Sequence, residues 1–274
     1  MRQAANPEPH NLRRTLIDSG PVVAEELVAR PELAPRGDIG SRKLVITFAG
    51  AFEFQVGRSA TWVDPSRLLF ADAGESYVDH HVVPGMGHAS VILTPDEAAL
   101  DELWDDADAQ FAGRVRACSL RVQMLAQLLR RADDPLAAEE LGVAIVAESV
   151  SDERRVTKID PRSVRRAKAA LHDCVDGRSG LTDIASELGV SPIHLTQSFK
   201  RSEGISLYRY QTQLRLGRAL TRLPEQEDIT DLAFELGFSS HSHFTAAFRA
   251  EFGMTPSRYR AEAGAGNDLL TAAC

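Results

Sequence analysis

Between residues 48 and 56 apolar and polar positions alternate. Phe48, Gly50, Phe52, Phe54 and Val56 fall on one side, and Glu53 and Gln55 on the other. That is the period of a half-buried strand, with Gly50-Ala51 marking a bend or bulge. Further short apolar runs at 22–29, 68–70, 78–83 and 89–93 are separated by turn residues at Asp64-Pro65, Ala73-Gly74 and Pro84-Gly85-Met86-Gly87. Short strands between such turns predict a small antiparallel barrel. Beyond residue 95 the period lengthens, and 96–110, 114–131 and 135–149 read as helices. Along the middle one Cys118, Val122, Leu125 and Leu129, bordered by Leu128, form a heptad-like stripe that can pack on its own barrel or on a second copy's. Residues 151–158 are polar and read as a linker, and Asp160-Pro161 as the next helix start.

In the remaining third a short pattern is written twice. Residues 181–190 (LTDIASELGV) are matched by 229–238 (ITDLAFELGF), and each copy continues into a second amphipathic segment. Ala185, Gly189 and Val190 correspond to Ala233, Gly237 and Phe238 at an offset of 48, whereas Phe199 and Gly204 correspond to Phe248 and Gly253 at 49. The second copy therefore carries one extra residue in its turn. A small residue where two helices cross, followed by a glycine able to end a helix in the left-handed conformation, has the spacing of a helix-turn-helix. Ser191-Pro192 supplies an N-cap and a first-turn proline for the second helix of copy one. Leu195 with Phe199, and Phe244 with Phe248, face inward. Between the copies, 207–223 forms a helix with Leu216, Leu220 and Leu223 on one stripe and Arg215, Arg218 and Arg222 opposite.

These residues, and above all the run 237–260 (GFSSHSHFTAAFRAEFGMTPSRYR), resemble the DNA-binding domain of the AraC/XylS family of bacterial transcription regulators over roughly 160–260. The resemblance implies two helix-turn-helix units joined by one helix, reading double-stranded promoter DNA. The base-contacting positions it implies are Ile193, Thr196 and Gln197 in the first unit and Ser242, Thr245 and Ala246 in the second. Ala246 departs from the long polar residue many relatives carry. Lys200, Arg201, His241, His243 and Arg249 are the expected phosphate contacts. Arg215 matches a family arginine expected to pair internally with a carboxylate such as Glu187 or Asp231. The N-terminal half is similar to the cupin-like sensor domain that many members carry.

The overall reading is α+β: a cupin-like β-barrel with a helical segment over 1–150, a linker at 151–159, and an all-α double helix-turn-helix domain over 160–274. Charge refines it. The chain has 31 Lys+Arg against 39 Asp+Glu, and the acidic excess lies before residue 159, where 17 bases face 25 acids. Beyond it 14 face 14, so DNA would be bound by local clusters, among them Arg162, Arg165, Arg166, Lys168, Arg258 and Arg260. Three scattered cysteines, Cys118, Cys174 and Cys274, match neither a disulfide framework nor a metal site. No apolar run is long enough to span a bilayer and the N-terminus lacks a signal region, so a cytoplasmic protein without a membrane partner is expected.

Metal-binding cupins place His-x-His and a following glutamate on one strand. Here, of His80, His81 and His88, the first two are adjacent and no glutamate follows, so no metal or other cofactor is expected. A small organic effector would instead lie against Phe48, Phe52 and Phe54, with His80 or His81 as polar contact; the same phenylalanines also read as a solid core. RNA polymerase and a second copy of the chain are the expected protein partners. Control through a partner protein, without an effector, and a cupin-type enzyme are the alternatives. No Gly-x-Ser-x-Gly, phosphate-binding glycine loop or His-Glu-x-x-His supports the enzyme.

Overall fold

The computed structural model describes residues 11–82, 85–150, 162–173 and 181–265; the linker, the Asp160-Pro161 start, Cys174 and Cys274 lie outside them. Ten strands form the N-terminal part: β1 (Leu12–Ile17), β2 (Val22–Ala29), β3 (Arg36–Asp38), β4 (Lys43–Ala49), β5 (Phe52–Val56), β6 (Ser59–Val63), β7 (Arg67–Ala71), β8 (Ser76–His81), β9 (His88–Pro95) and β10 (Val115–Ala117). They build two antiparallel sheets, ordered β1-β2-β9-β4-β7-β10 and β3-β8-β5-β6. This is the small antiparallel barrel the alternation predicted, with more strands than the apolar runs revealed.

The bend at Gly50 is a change of sheet. Its φ is +72°, and a Cβ there would lie 2.1 Å from the Gly87 carbonyl oxygen, so no other residue fits without moving the backbone. The alternating run is consequently two strands. Phe48 ends in the six-stranded sheet, in the core shared with the helices, while Phe52 and Phe54 face the barrel interior from the four-stranded sheet.

Two of the three predicted helices are broken. In place of 96–110 stand α1 (Glu97–Leu103) and α2 (Ala107–Gly113). Trp104 turns extended between them to donate its indole Nε1 to the Val146 carbonyl at 3.0 Å, and Asp106 caps the second piece. In place of 114–131, Arg114 takes a positive φ and forks onto Glu75 at 2.5 and 2.7 Å, and β10 precedes α3 (Leu120–Leu129), which starts at the Ser119 cap. The third helix is α4 (Pro135–Glu148), capped by Asp134. The α3 stripe packs within its own chain, against α4, α8 and α10.

Among the described residues seven α-helices follow: α5 (Arg162–Asp173), α6 (Leu181–Leu188), α7 (Pro192–Glu203), α8 (Leu207–Arg222), α9 (Ile229–Glu235), α10 (His241–Phe252) and α11 (Pro256–Ala265). The two turns are the same object. Val190 N–H donates to Ala185 O and Gly189 N–H to Ser186 O, each at 3.0 Å; Phe238 donates to Ala233 at 3.0 Å and Gly237 to Phe234 at 2.9 Å. This is the Schellman closure that a glycine at positive φ allows. The next helices are capped by Ser191 and Ser240, whose hydroxyls each accept a backbone N–H at 3.1 Å. Val190 and Phe238 are offset by 48 and the two cap serines by 49, so the extra residue lies between Phe238 and Ser240.

The two units attach to the barrel differently. The first has its own core, built around Val164, Ile184, Leu195, Phe199 and Leu214. The second has none of its own: Leu216, Leu220, Phe244, Phe248 and Tyr259 belong to one apolar core that runs through α3 and α4 to β4, β7 and β9. Burial of apolar side chains therefore crosses the boundary between the halves.

Candidate nucleic-acid interface and barrel cavity

α7 and α10 each bury one face and leave the other open. On α7, Leu195 and Phe199 are fully buried while Ile193 is 71% exposed, and Gln197, Lys200 and Arg201 are exposed. An isoleucine that open is poorly placed for stability and available to a partner. Thr196 is half-buried, and its hydroxyl donates to the Pro192 carbonyl at 2.9 Å, which leaves its methyl to present. On α10, Phe244 and Phe248 are buried and Ser242, His243, Ala246 and Arg249 exposed. Thr245 differs, because its hydroxyl is buried without a hydrogen-bond partner. His241 lies 3.3 Å from the Thr230 hydroxyl and His243 3.1 Å from the Ser239 hydroxyl, so both rings are steadied at the start of α10.

Much of the expected basic cluster is spent inside the molecule. Lys168 is fully buried, Arg165 pairs with Glu53 of β5, and Arg166 donates to the Glu187 and Leu188 carbonyls. Arg260 donates to the carbonyls of Gln226 and Glu227. On α8, Arg218 donates to the His172 carbonyl and Arg222 pairs with Glu235. Arg215 is buried, with its guanidinium against Gly237 and facing the Phe238 ring at 6.0 Å. The exposed bases of the recognition helices, Lys200, Arg201 and Arg249, keep their outward position.

A buried polar cluster, which no spacing in the sequence announced, joins the barrel to the first unit. Asp64 comes from the turn before β7, Arg67 from the start of β7, Lys168 and His172 from α5, Glu203 from the end of α7 and Tyr210 from α8. All are at most 3% exposed. Glu203 Oε1 stands 2.7 Å from both Arg67 Nη2 and Lys168 Nζ. Asp64 accepts from Trp62 Nε1 at 2.5 Å, from the Tyr210 hydroxyl at 2.7 Å and from Ser66. Burial alone would raise the Asp64 carboxyl, but Lys168, His172 and Arg67 hold it well below the usual carboxylate range; the same burial and the Asp64 charge push the Tyr210 hydroxyl up.

Inside the barrel lies a cavity of about 150 Å³, walled by Phe52, Phe54, Tyr77, Asp79 and His88 among others. Two expected contacts are elsewhere. His80 is exposed and bonds Gln55 on the outer face, because β8 pairs with β5 so that His81 and Asp79, not His80, stand opposite Phe52 and Phe54. Phe48 lines a separate cleft of about 560 Å³ between the barrel rim and α8. His81 points inward beside His88, ring centres 5.4 Å apart, with Nε2 on the Leu33 carbonyl. The sequence reading weighed His88 with His80 and His81 only as a metal ligand and gave Asp79 no role; Asp79, two residues before His81, shares its inward phase and could have been found by that alternation.

Comparison with known proteins places this geometry. Residues 184–262 match the helix-turn-helix domain family. The chain is 30% identical over 100 residues to the Msm operon regulatory protein of Streptococcus mutans, covering 36% of each, and 38% identical over 78 residues to the probable transcription factor PqrA of Proteus vulgaris, covering 28% of this chain and 64% of that one. These alignments span less than two thirds of those relatives. It is also 22% identical over 226 residues to the probable transcriptional regulator LumQ of Photobacterium leiognathi, covering 80% of this chain and 88% of that protein. Two of the three are named as regulators and one as a transcription factor. Among the described residues no helix is long and apolar enough to cross a membrane.

Proposed function

We propose that this chain is a regulator of transcription of the AraC/XylS family, a sequence-specific DNA-binding protein whose α7 and α10 enter successive major grooves. The observation that carries this reading is the matched pair of capped recognition helices, each with a buried aromatic face and an open outer one. Gln197 pairs with an adenine edge, and Ile193 with the Thr196 methyl touches a thymine methyl. Lys200, Arg201 and Arg249 bind phosphate, and His241 and His243 do so at the start of α10. In the second unit Ser242 offers one hydroxyl while Ala246 has no polar group and Thr245 has its hydroxyl turned in, so that unit positions more than it reads.

Residues 1–150 act as the sensor and 160–274 as the DNA-binding part. The barrel cavity supports modulation by a small molecule, with Phe52 and Phe54 as its aromatic walls. RNA polymerase is the machinery such a regulator recruits or blocks, and a second copy of the chain on an adjacent half-site completes the complex.

The test is selection of genomic fragments by the full chain, followed by titration of the recovered sites at several salt concentrations. We expect a common sequence element and affinity that falls steeply with salt. Recovery of no element above random DNA would overturn the proposal.

A further inference from the structure

Asp79 and His88 face each other in the barrel, and each keeps one buried polar atom without a hydrogen-bond partner. Asp79 is 4% exposed, its Oδ1 has no hydrogen-bond partner, and its Oδ2 stands 3.8 Å from His88 Nε2, beyond hydrogen-bond reach. His88 is buried with its Nδ1 unpartnered, and its ring is fixed by stacking on Phe52, centres 4.0 Å apart. Burial pushes the Asp79 carboxyl up to about 8 and, with His81 beside it, the His88 imidazole down to about 3, so His88 is neutral and one ring nitrogen is an acceptor. Native structures rarely leave such groups orphaned, and those that are point to a missing partner.

That partner has to be small, rich in donors and compatible with aromatic walls. A cavity of about 150 Å³ holds one molecule about the size of benzene. The cations at its mouth are engaged: Arg13 pairs with Glu25, and Lys43 Nζ bonds the Thr94 hydroxyl at 3.1 Å. Among the described residues no group of three His, Cys, Asp or Glu has the arrangement to hold a metal ion. An organic ammonium meets each requirement: its positive charge favours ionised Asp79, whose proton passes to solvent on binding, its N–H groups then satisfy the carboxylate and the imidazole, and its charge lies against the aromatic faces.

Resting on the reading of the barrel as a sensor, we infer that the cavity binds a small organic amine, its ammonium between Asp79 and His88 and its carbon skeleton against Phe52, Phe54 and Tyr77. His88 is also a wall of the cleft whose far side is Arg218, Thr221 and Arg222 of α8. Cavity and cleft therefore share one residue, His88.

The experiment uses the full chain and three probes sharing one branched skeleton: isobutylamine, isobutanol and isobutyrate. Thermal melting and calorimetric titration should show isobutylamine raising the melting temperature and binding at least tenfold more tightly than isobutanol, with no binding of isobutyrate. Asp79→Asn should reduce that preference to less than threefold, and the wild-type comparison stands on its own if this variant does not fold. Equal binding of alcohol and amine, binding of isobutyrate, or no binding of the amine would each overturn the inference. Binding of the ligand-free chain to its selected DNA is measured in parallel. If DNA is bound and the amine is not, the cavity assignment fails alone; if neither is bound, the regulator reading fails as well.

Discussion

Replacing Glu203 by glutamine tests whether the polar seam holds the first helix-turn-helix unit to the barrel. The amide keeps the shape of the side chain and removes its charge. Arg67 and Lys168, each 2.7 Å from Glu203 and each fully buried, then lose a carboxylate at close range, and Lys168 keeps Asp64 at 3.8 Å. Removing one partner of a buried ion pair costs about 3–5 kcal/mol, because a desolvated charge is left behind. An exposed pair contributes about 0.2–1 kcal/mol. Even the lower buried figure lowers the folded-to-unfolded ratio by about a hundredfold.

The assay is urea unfolding of the full chain, followed by far-UV circular dichroism and by the fluorescence of Trp62 and Trp104. Trp62 donates to Asp64 and so reports the seam directly. The midpoint should fall with little change in slope. A companion variant, Arg67→Met, Lys168→Met and Glu203→Met with Asp64→Asn, removes all four charges together and should recover most of the loss, since a neutral set of similar volume leaves no desolvated charge behind. A loss of less than about 1 kcal/mol for Glu203→Gln would show the cluster to be solvated and refute the reasoning.

Asp79 keeps its proton to about 8 in the folded chain against 3.8 for the ordinary carboxyl. Between those values the folded state binds more protons, so stability falls as pH rises, by up to ~1.4 kcal/mol per pH unit; Asp79→Asn should flatten that fall, and denaturant midpoints showing the same slope in both proteins would contradict it. Gln197→Ala should cost ~1–3 kcal/mol on the selected site and relax preference at one base pair; equal losses on selected and random DNA would make Gln197 a positioning residue. Arg249→Ala should weaken specific and non-specific binding alike and lower the salt slope by about one unit, whereas an unchanged slope would remove Arg249 from the phosphate contacts.

The helix-turn-helix units were legible because everything that makes them is local. Gly189 and Gly237 end helices at positive φ, Ser191 and Ser240 start the next ones, and Phe199 and Phe248 fill the same inward position; each signal lies within a few residues of the others. The barrel was legible in part. Strand 22–29 was read to the residue, but β1, with mostly exposed side chains, gives no apolar run, and the helix over 114–131 was interrupted by the contact between Arg114 and the distant Glu75. Alternation was misread across Gly50, because a period of two continues through a corner in the sequence while the chain changes sheets.

What no local pattern could show is how the halves are joined. Lys168 reads as one of a basic cluster and Glu203 and Arg67 carry no signal, since burial of a charge depends on a partner more than a hundred residues away, as Arg67 and Glu203 are. Leu216, Leu220 and Phe244 read as the private core of a DNA-binding domain, yet they share one core with α3 and β4. The two attachments respond to different conditions. Apolar burial is indifferent to charge, whereas the polar seam needs Asp64 and Glu203 ionised against Lys168 and Arg67. Asp64, held well below the ordinary carboxylate range, contributes stability that is present above 3.8 and lost as pH falls through its lowered value. Acid should therefore release the first unit from the barrel before the second, and the first unit is the one whose exposed Ile193 and Gln197 are proposed to read sequence. The barrel thus fixes α10 through packing and α7 through charge, so a change in the seam alters the placement of one recognition helix relative to the other.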